Sequence, residues 1–229
     1  MKKFLPLYKS ALFSYLIDPL FYVSSLLTIL FCAFRFFFGS KFFVAGLGST
    51  DLRPFFNSVP LISILTIPLL TFRLRSLFLD DSIPVKPFQR FFALSTASFT
   101  AFSLPLLLLI SIPLSVSRFG SVEPGQCLAG FLGLFLYGFS AASLSAFFFA
   151  IFYSSPALPL IFSAVVLALV NFLHLLPLYV KTGTFLAFFC KAFSFAIHFR
   201  FLLKGNSGFP QFLLLYCRLV RASFAFDTF

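Results

Sequence analysis

Long apolar runs separated by short polar segments make up most of this chain. A helix needs about 20 predominantly apolar residues to cross the ~30 Å hydrocarbon layer of a membrane. Runs that approach or reach this length occupy residues 19–38, 55–72, 91–116, 127–153, 157–180 and 184–199. The pattern therefore predicts an all-α, polytopic integral membrane protein with about six transmembrane helices.

The first 18 residues predict a separate helix on the membrane surface. Residues 4–17 place Lys9 and Ser10 between aromatic side chains, which is too polar for a span but suits an interfacial amphipathic helix. Asp18 followed by Pro19 predicts a new helix, with Asp18 as its N-cap and Pro19 at its first position. The predicted regions are a cytoplasmic interfacial helix (1–18), a six-span domain (19–200) and a basic C-terminal segment (201–229).

Prolines and glycines inside the apolar runs predict how individual spans behave. Pro105 and Pro113 lie within the third span, where each removes a backbone donor, so we expect a kink. Gly130, Gly133 and Gly138 lie in the fourth span among bulky Leu and Phe residues. Small residues at helical spacing let neighbouring helices approach closely, so these glycines predict tight packing of the fourth span.

The last span has two candidates. Residues 184–199 contain Lys191 and His198, whereas residues 209–226 form a shorter apolar stretch interrupted by two arginines. A charge at the bilayer centre costs about 2.5–3.5 kcal/mol on insertion scales. We therefore favour 184–199 as the sixth span, and 209–226 stays open as the alternative last span.

Composition excludes a soluble domain and leaves little room for cofactor chemistry. The chain is 60% hydrophobic and 10% charged, with a mean hydropathy of +1.05, whereas soluble proteins average about 25% charged residues. The net charge of +11 is spread thinly between apolar runs, which argues against nucleic-acid binding. The four cysteines are isolated from one another, so we expect no metal site and no cofactor.

The distribution of lysine and arginine predicts the orientation. With the N-terminus inside, the inner segments carry eleven of these residues and the outer loops carry four. Positive residues accumulate on the cytoplasmic side of membrane proteins. We therefore expect a multi-pass protein of the inner (cytoplasmic) membrane, with both termini in the cytoplasm.

Few residues suggest chemistry of their own. The sequence has no P-loop motif, and its six acidic residues all fall in loops or at the ends of spans, which argues against a proton-coupled carrier. Asn171 and His174, one helical turn apart in the fifth span, are candidates to line a translocation path. Ser140 with His174 or His198 loosely resembles the nucleophile and base of an intramembrane serine protease, although serines among small residues more often serve packing.

Four segments occur in the order seen in the permease subunit of type-2 ABC (ABC-2) exporters, and they resemble its gliding-motility (GldF-like) branch. They are residues 8–38 (interfacial helix, break and first span), 52–56 with 67–74 (second span), 120–133 (outer loop and glycine-bearing start of the fourth span) and 194–205 (a late element). The segment between Arg75 and Pro84 is shorter than its counterpart in that family. In relatives the late element lies outside and precedes a final span.

The resemblance implies partners and a mechanism. A cytoplasmic ABC ATPase would drive transport, and a second permease copy or a related permease would complete the path within the lipid bilayer, with an extracytoplasmic accessory protein as a further partner. It also implies an ATPase-coupling loop, formed by Arg73, Arg75, Asp80, Asp81 and Lys86. The Phe-rich spans suit an amphiphilic substrate better than a small ion. A membrane scaffold or assembly factor that transports nothing is the alternative.

Overall fold

The computed structural model describes residues 4–39, 52–74, 87–118, 124–152, 155 and 157–173, and these are helical apart from short turns. The helices are α1 (Phe4–Ile17), α2 (Pro19–Phe34, continued by a π-helical turn at Arg35–Gly39), α3 (Arg53–Arg73), α4 (Pro87–Leu108), α5 (Ser111–Val116), α6 (Pro124–Ile151) and α7 (Ala157–Phe172). No strand occurs in these residues. The predicted all-α class is confirmed.

Within the described residues, four helical stretches are long and apolar enough to cross a membrane: Pro19–Gly39, Arg53–Arg73, Phe88–Val116 and Cys127–Ile151. They correspond to the first four predicted spans. Helix α7 covers the first part of the fifth predicted span as a shorter apolar helix, Ala157–Phe172, and residues 174–180 of that prediction lie outside the described residues. The sixth predicted span and the alternative at 209–226 lie outside the described residues.

The start of α2 confirms the predicted capping. Pro19 occupies the first turn, and the backbone N–H of Leu20 donates to Asp18 Oδ1 at 2.9 Å. A side-chain oxygen at this position satisfies one of the N–H groups that lack a partner within the helix. The break between α1 and α2 is therefore encoded locally by two consecutive residues.

The predicted kink in the third span appears as an interruption. Helix α4 ends at Leu108, a turn follows at Leu109 and Ile110, and α5 then continues the span. Pro113 has no N–H to donate to the carbonyl of Leu109, and the N–H of Ile112 instead reaches the Leu109 carbonyl at 3.1 Å. The third span thus consists of two helical pieces.

Contacts between helices show that their directions alternate. Asp18 pairs with Arg73 at one end of the α2–α3 pair, and Phe36 packs against Phe55 at the other. Helices α3 and α6 run parallel, with Ser63 beside Tyr137 and Phe72 beside Phe149. Helix α7 runs opposite to α6, with Phe162 beside Phe148 and Asn171 beside Tyr137. Alternation is what consecutive spans require. We call the two ends of the bundle the Arg73 end and the Arg53 end.

Helix α3 is the centre of the bundle, and α2, α4, α6 and α7 all pack against it. Its buried residues include hydroxyl side chains as well as apolar ones: Ser58, Ser63, Thr66 and Thr71. Each of these hydroxyls donates to a backbone carbonyl three or four residues earlier in α3. These four buried hydroxyls of α3 therefore find their acceptors within their own helix, which satisfies them in a bilayer.

Candidate functional site

Three helices meet at a buried polar junction formed by Ser63 of α3, Tyr137 of α6 and Asn171 of α7. The Tyr137 hydroxyl lies 2.7 Å from Ser63 Oγ, and Asn171 Nδ2 donates to it at 2.8 Å. The three side chains are buried. We call this arrangement the α3–α6–α7 junction.

The Pro60 carbonyl and the Asn171 amide complete the hydrogen bonding of the junction. Ser63 Oγ donates to the Pro60 carbonyl at 2.6 Å, the Tyr137 hydroxyl donates to the same carbonyl at 3.4 Å, and Asn171 Nδ2 donates to the Tyr137 hydroxyl. The second amide hydrogen of Asn171 reaches the Leu167 carbonyl at 2.9 Å. Each of these donors has an acceptor, as buried polar groups need in hydrocarbon. The junction therefore connects three helices through a satisfied chain of hydrogen bonds.

Asn171 was predicted, with His174, to line a path. The structure places Asn171 in the interior, where its amide bonds to Tyr137 and to the Leu167 carbonyl. His174 lies outside the described residues, so the pair stays a prediction. The sequence did not single out Tyr137 or Ser63, because nothing in the spacing of residues 63, 137 and 171 indicates that they meet.

A second group of contacts attaches α1 to the bundle. The Tyr15 hydroxyl donates to the Leu70 carbonyl at 3.1 Å and lies 3.0 Å from Ser98 Oγ. The Tyr8 hydroxyl lies 3.0 Å from Thr100 Oγ1. Burial raises the pKa of Tyr15 and the hydrogen bond with Ser98 offsets part of this, so the phenol keeps the proton that it donates.

These contacts also indicate how α1 lies. Tyr8 and Tyr15 are about 10 Å apart along α1, but their partners on α4, Ser98 and Thr100, are only about 3 Å apart along that helix. Helix α1 therefore crosses α4 obliquely. Its 14 residues extend about 21 Å, which is too short for a span.

An ion pair joins α1, α2 and α3 at the Arg73 end. Arg73 Nε pairs with Asp18 Oδ2, while the other oxygen of Asp18 caps α2. The Asp18 side chain is 13% exposed and that of Arg73 is 48% exposed. One carboxylate thus holds the start of α2 against the end of α3. We call the Tyr8, Tyr15 and Asp18 contacts together the α1 clasp.

Of the five residues predicted to form the coupling loop, the structure describes Arg73. The other four, Arg75, Asp80, Asp81 and Lys86, lie outside the described residues. Arg73 bonds within the protein, to Asp18, a partner that the sequence analysis did not identify. The two residues are far apart in the chain, and only the antiparallel packing of α2 against α3 brings them together.

Two further predictions concern Ser140 as a nucleophile and the absence of a metal site. Ser140 Oγ donates to the Tyr137 carbonyl of its own helix at 2.8 Å, and both histidines lie outside the described residues. The serine–histidine pairing therefore stays a prediction. Among the described residues, no group of three His, Cys, Asp or Glu side chains could hold a metal ion.

No protein-family model, no curated protein and no solved structure matches this chain. The structure itself shows an all-α membrane protein, because several of its described helices are long and apolar enough to span a membrane. The resemblance to ABC-2 permeases stays a prediction that rests on the sequence.

Proposed function

We propose that this protein is the membrane-spanning permease subunit of a type-2 ABC exporter, with a separate cytoplasmic ATPase as its motor. It would form the translocation path for an amphiphilic substrate together with a second copy or a related permease. The observation that carries the proposal is the α1 clasp. It connects the N-terminal helix to the end of α3, where the predicted coupling segment begins.

The clasp suits a subunit that receives force from outside the membrane. A load applied to the segment after Arg73 acts directly on the end of α3. The same load reaches the start of α2 because Arg73 pairs with Asp18. Tyr15 adds a link from α1 to α3 and α4, through the Leu70 carbonyl and Ser98. Four helices would thus respond together to movement of one polar segment.

The charges of residues 73–90 and the lack of a P-loop motif also support a permease driven by a separate ATPase. Residues 73–90 form the largest polar segment between spans and carry four positive charges. The chain has no P-loop, so its energy would come from a partner that binds ATP. Asp80 and Asp81 are the acidic residues of this segment and would contact basic groups of that partner.

The interior of the bundle favours an amphiphilic cargo over an ion. The Ser63 and Tyr137 hydroxyls are bonded to a backbone carbonyl and to one another, whereas the buried hydroxyls of Ser25 and Ser145 have no hydrogen-bond partner among the described residues. Selective passage of a small ion requires aligned carbonyls or charges that replace its hydration shell. The described part of the spans presents large apolar surfaces instead, along which a lipid-like molecule could move.

The first test is purification of the chain from its own membranes in mild detergent. We expect an ATP-binding protein to co-purify, and the complex in liposomes of native lipid extract should hydrolyse ATP. If purification from intact membranes repeatedly yields no ATP-binding protein, the permease proposal fails. A partner without ATPase activity would indicate the scaffold instead.

The second test is a charge reversal. Asp80→Lys with Asp81→Lys should lower ATP hydrolysis by the reconstituted complex while membrane insertion is retained. The matched control is Asp51→Lys with Glu123→Lys, which changes the charge by the same amount on the predicted outer loops. Equal activity of the two double variants would contradict a coupling role for residues 80 and 81.

A further inference from the structure

The outer face of α2 carries a shallow apolar groove. The groove has a volume of about 610 Å³, and its lining consists only of large apolar side chains: Val23, Leu26, Leu27, Leu30, Phe31 and Phe34. All of these residues belong to α2. The face of α2 that carries Ser24, Thr28 and Cys32 is instead buried in the bundle. We call the outer surface the α2 groove.

The length of the α2 groove matches one leaflet of a bilayer. From Val23 to Phe34 the helix rises about 17 Å, and half of the ~30 Å hydrocarbon layer is about 15 Å. A groove of this length and composition fits an acyl chain that runs along α2. Contact with an acyl chain alone gives no preference for one lipid over another, because all lipid tails are apolar. A preference therefore requires contact with a headgroup.

Arg35 lies where the headgroup of such a lipid would be. It follows Leu27 and Phe31 at intervals of four residues, so it lies on the same face of the helix, just beyond the end of the groove. Its side chain is exposed. The only acidic side chain among the described residues, Asp18, pairs with Arg73 at the opposite end of the bundle. No carboxylate in this part of the chain therefore neutralises Arg35.

We propose that the α2 groove and Arg35 bind one anionic phospholipid from the leaflet at the Arg53 end. An acyl chain of this lipid lies along the groove from Phe34 to Val23, and its phosphate accepts hydrogen bonds from the Arg35 guanidinium. Guanidinium groups pair with phosphate through two parallel hydrogen bonds. An anionic headgroup is preferred to a zwitterionic one, because it has no ammonium group that competes with Arg35 for the phosphate. The site does not depend on the permease proposal, since a scaffold could bind the same lipid.

The chain contains no tryptophan, so a single introduced tryptophan reports on its own surroundings alone. Phe34→Trp places this reporter in the groove, at a position that is 64% exposed and has room for the larger ring. The full-length protein is reconstituted in vesicles that contain phosphatidylcholine and phosphatidylglycerol in varied ratio, with brominated acyl chains on one lipid at a time. Bromine quenches tryptophan fluorescence on contact, so the quenching curves give the relative binding of the two lipids at residue 34.

Two variants serve as matched controls. Leu132→Trp places the reporter on α6, where Leu132 is 42% exposed. Phe55 contacts both Phe36 and Phe131, so residues 34 and 132 lie at a similar depth. Arg118→Gln removes another exposed arginine, which follows α5. Helices α5 and α2 are not among the described pairs that pack extensively against each other.

We expect phosphatidylglycerol to bind about fivefold better than phosphatidylcholine at Phe34→Trp, the effect of one basic residue at an anionic lipid surface, and less than about twofold better at Leu132→Trp. In the Phe34→Trp chain, Arg35→Gln should abolish the preference, whereas Arg118→Gln should retain it. Leu30→Trp, at a position that is 59% exposed, is the second reporter if Phe34→Trp does not fold.

Three results would overturn the proposal. Equal binding of the two lipids in the groove would mean that it contacts bulk lipid without selection. A preference that survives Arg35→Gln would mean that Arg35 does not hold the headgroup. Fluorescence that neither brominated lipid quenches would mean that protein, either a second copy or another part of this chain, covers the groove.

Discussion

Helices α2 and α3 are nearly identical by the measures that identify a span, yet they occupy opposite environments. Both spanning stretches have 21 residues, with mean hydropathies of 1.9 and 1.8. Of the most apolar part, 28% is buried in the α2 stretch and 67% in α3. Hydropathy therefore identifies a helix as a span but does not indicate whether it lies at the edge or the centre of a bundle.

The difference lies in which residue types face the protein. The buried stripe of α2 contains Ser24, Thr28 and Cys32, whereas Leu26 and Leu30 are exposed. Large apolar side chains gain little from contact with other helices, because lipid tails are equally apolar, while small and hydroxyl residues permit close packing. In α3 such small and hydroxyl residues occur on several faces. Their angular spread is the signal that separates the central helix from the edge helix.

The largest expected effect comes from filling the closest contact of α3. A Cβ at Gly130 of α6 would lie 2.6 Å from ring atoms of Phe56, which is fully buried and packs edge-to-face against Phe55 and Phe131. Gly130→Leu should cost about 3 kcal/mol or more, since overpacking a tight site forces several side chains to move. Thermal unfolding in detergent would measure it.

The matched control for this variant is Gly125→Leu in the same helix, where a Cβ meets no atom within 4 Å. It should leave stability within about 0.5 kcal/mol of the parent. Equal destabilisation by the two variants would mean that the close approach of α6 to α3 does not limit stability.

The second expectation compares one substitution at two sites. Leu70 on α3 is 3% exposed, and Leu30, which points away from the buried stripe of α2, is 59% exposed. Leu70→Ala should cost about 2 kcal/mol, the low end for a core leucine, because the unfolded chain in a bilayer keeps its side chains in an apolar medium. Leu30→Ala should cost under about 0.5 kcal/mol. Reversible unfolding in mixed micelles compares them, and similar losses would show that burial within the protein is not what separates α2 from α3.

Sequence patterns predicted the spans of this molecule better than its contacts. The first four spans, the Asp18 cap and the break near Pro113 follow from residues adjacent in the chain, so local rules were sufficient. The fifth span was predicted over residues 157–180, of which the structure describes the helix Ala157–Phe172, so the remainder stays a prediction.

The candidate site was predicted only in part. Asn171 was singled out because an amide within a span is unusual, but its partners Tyr137 and Ser63 are ordinary residues for a span. The pairing of Asp18 with Arg73 was missed for a different reason. It depends on the packing of α2 against α3, and a single sequence gives no measure of which spans are neighbours.

The third expectation concerns the α3–α6–α7 junction, for which α2 has no counterpart among the described contacts. Tyr137→Phe keeps the ring but removes the hydroxyl, so Ser63 loses a hydrogen-bond partner and the Asn171 amide loses an acceptor. The loss should be about 1 kcal/mol. A double-mutant cycle with Asn171→Leu should give a coupling of about 0.6 kcal/mol, typical of hydrogen bonds between membrane helices. Strict additivity of the two substitutions would contradict a shared network.

The smallest expected effect on stability concerns the Asp18–Arg73 link, which joins the two helices compared above. Asp18→Asn keeps a side-chain oxygen for the cap of α2 but removes the charge that faces Arg73, so it should cost less than about 1 kcal/mol, as expected for a partly exposed ion pair. Asp18→Ala removes the cap as well and should cost about 1 kcal/mol more. Thermal unfolding at low and high salt separates the two terms, because salt screens the ion pair but not the cap. If Asp18→Asn and Asp18→Ala destabilise equally, the cap contributes nothing.

If the permease proposal is correct, Asp18→Asn should also lower ATP hydrolysis by the reconstituted complex by more than its small effect on stability explains, because α2 would no longer follow the end of α3.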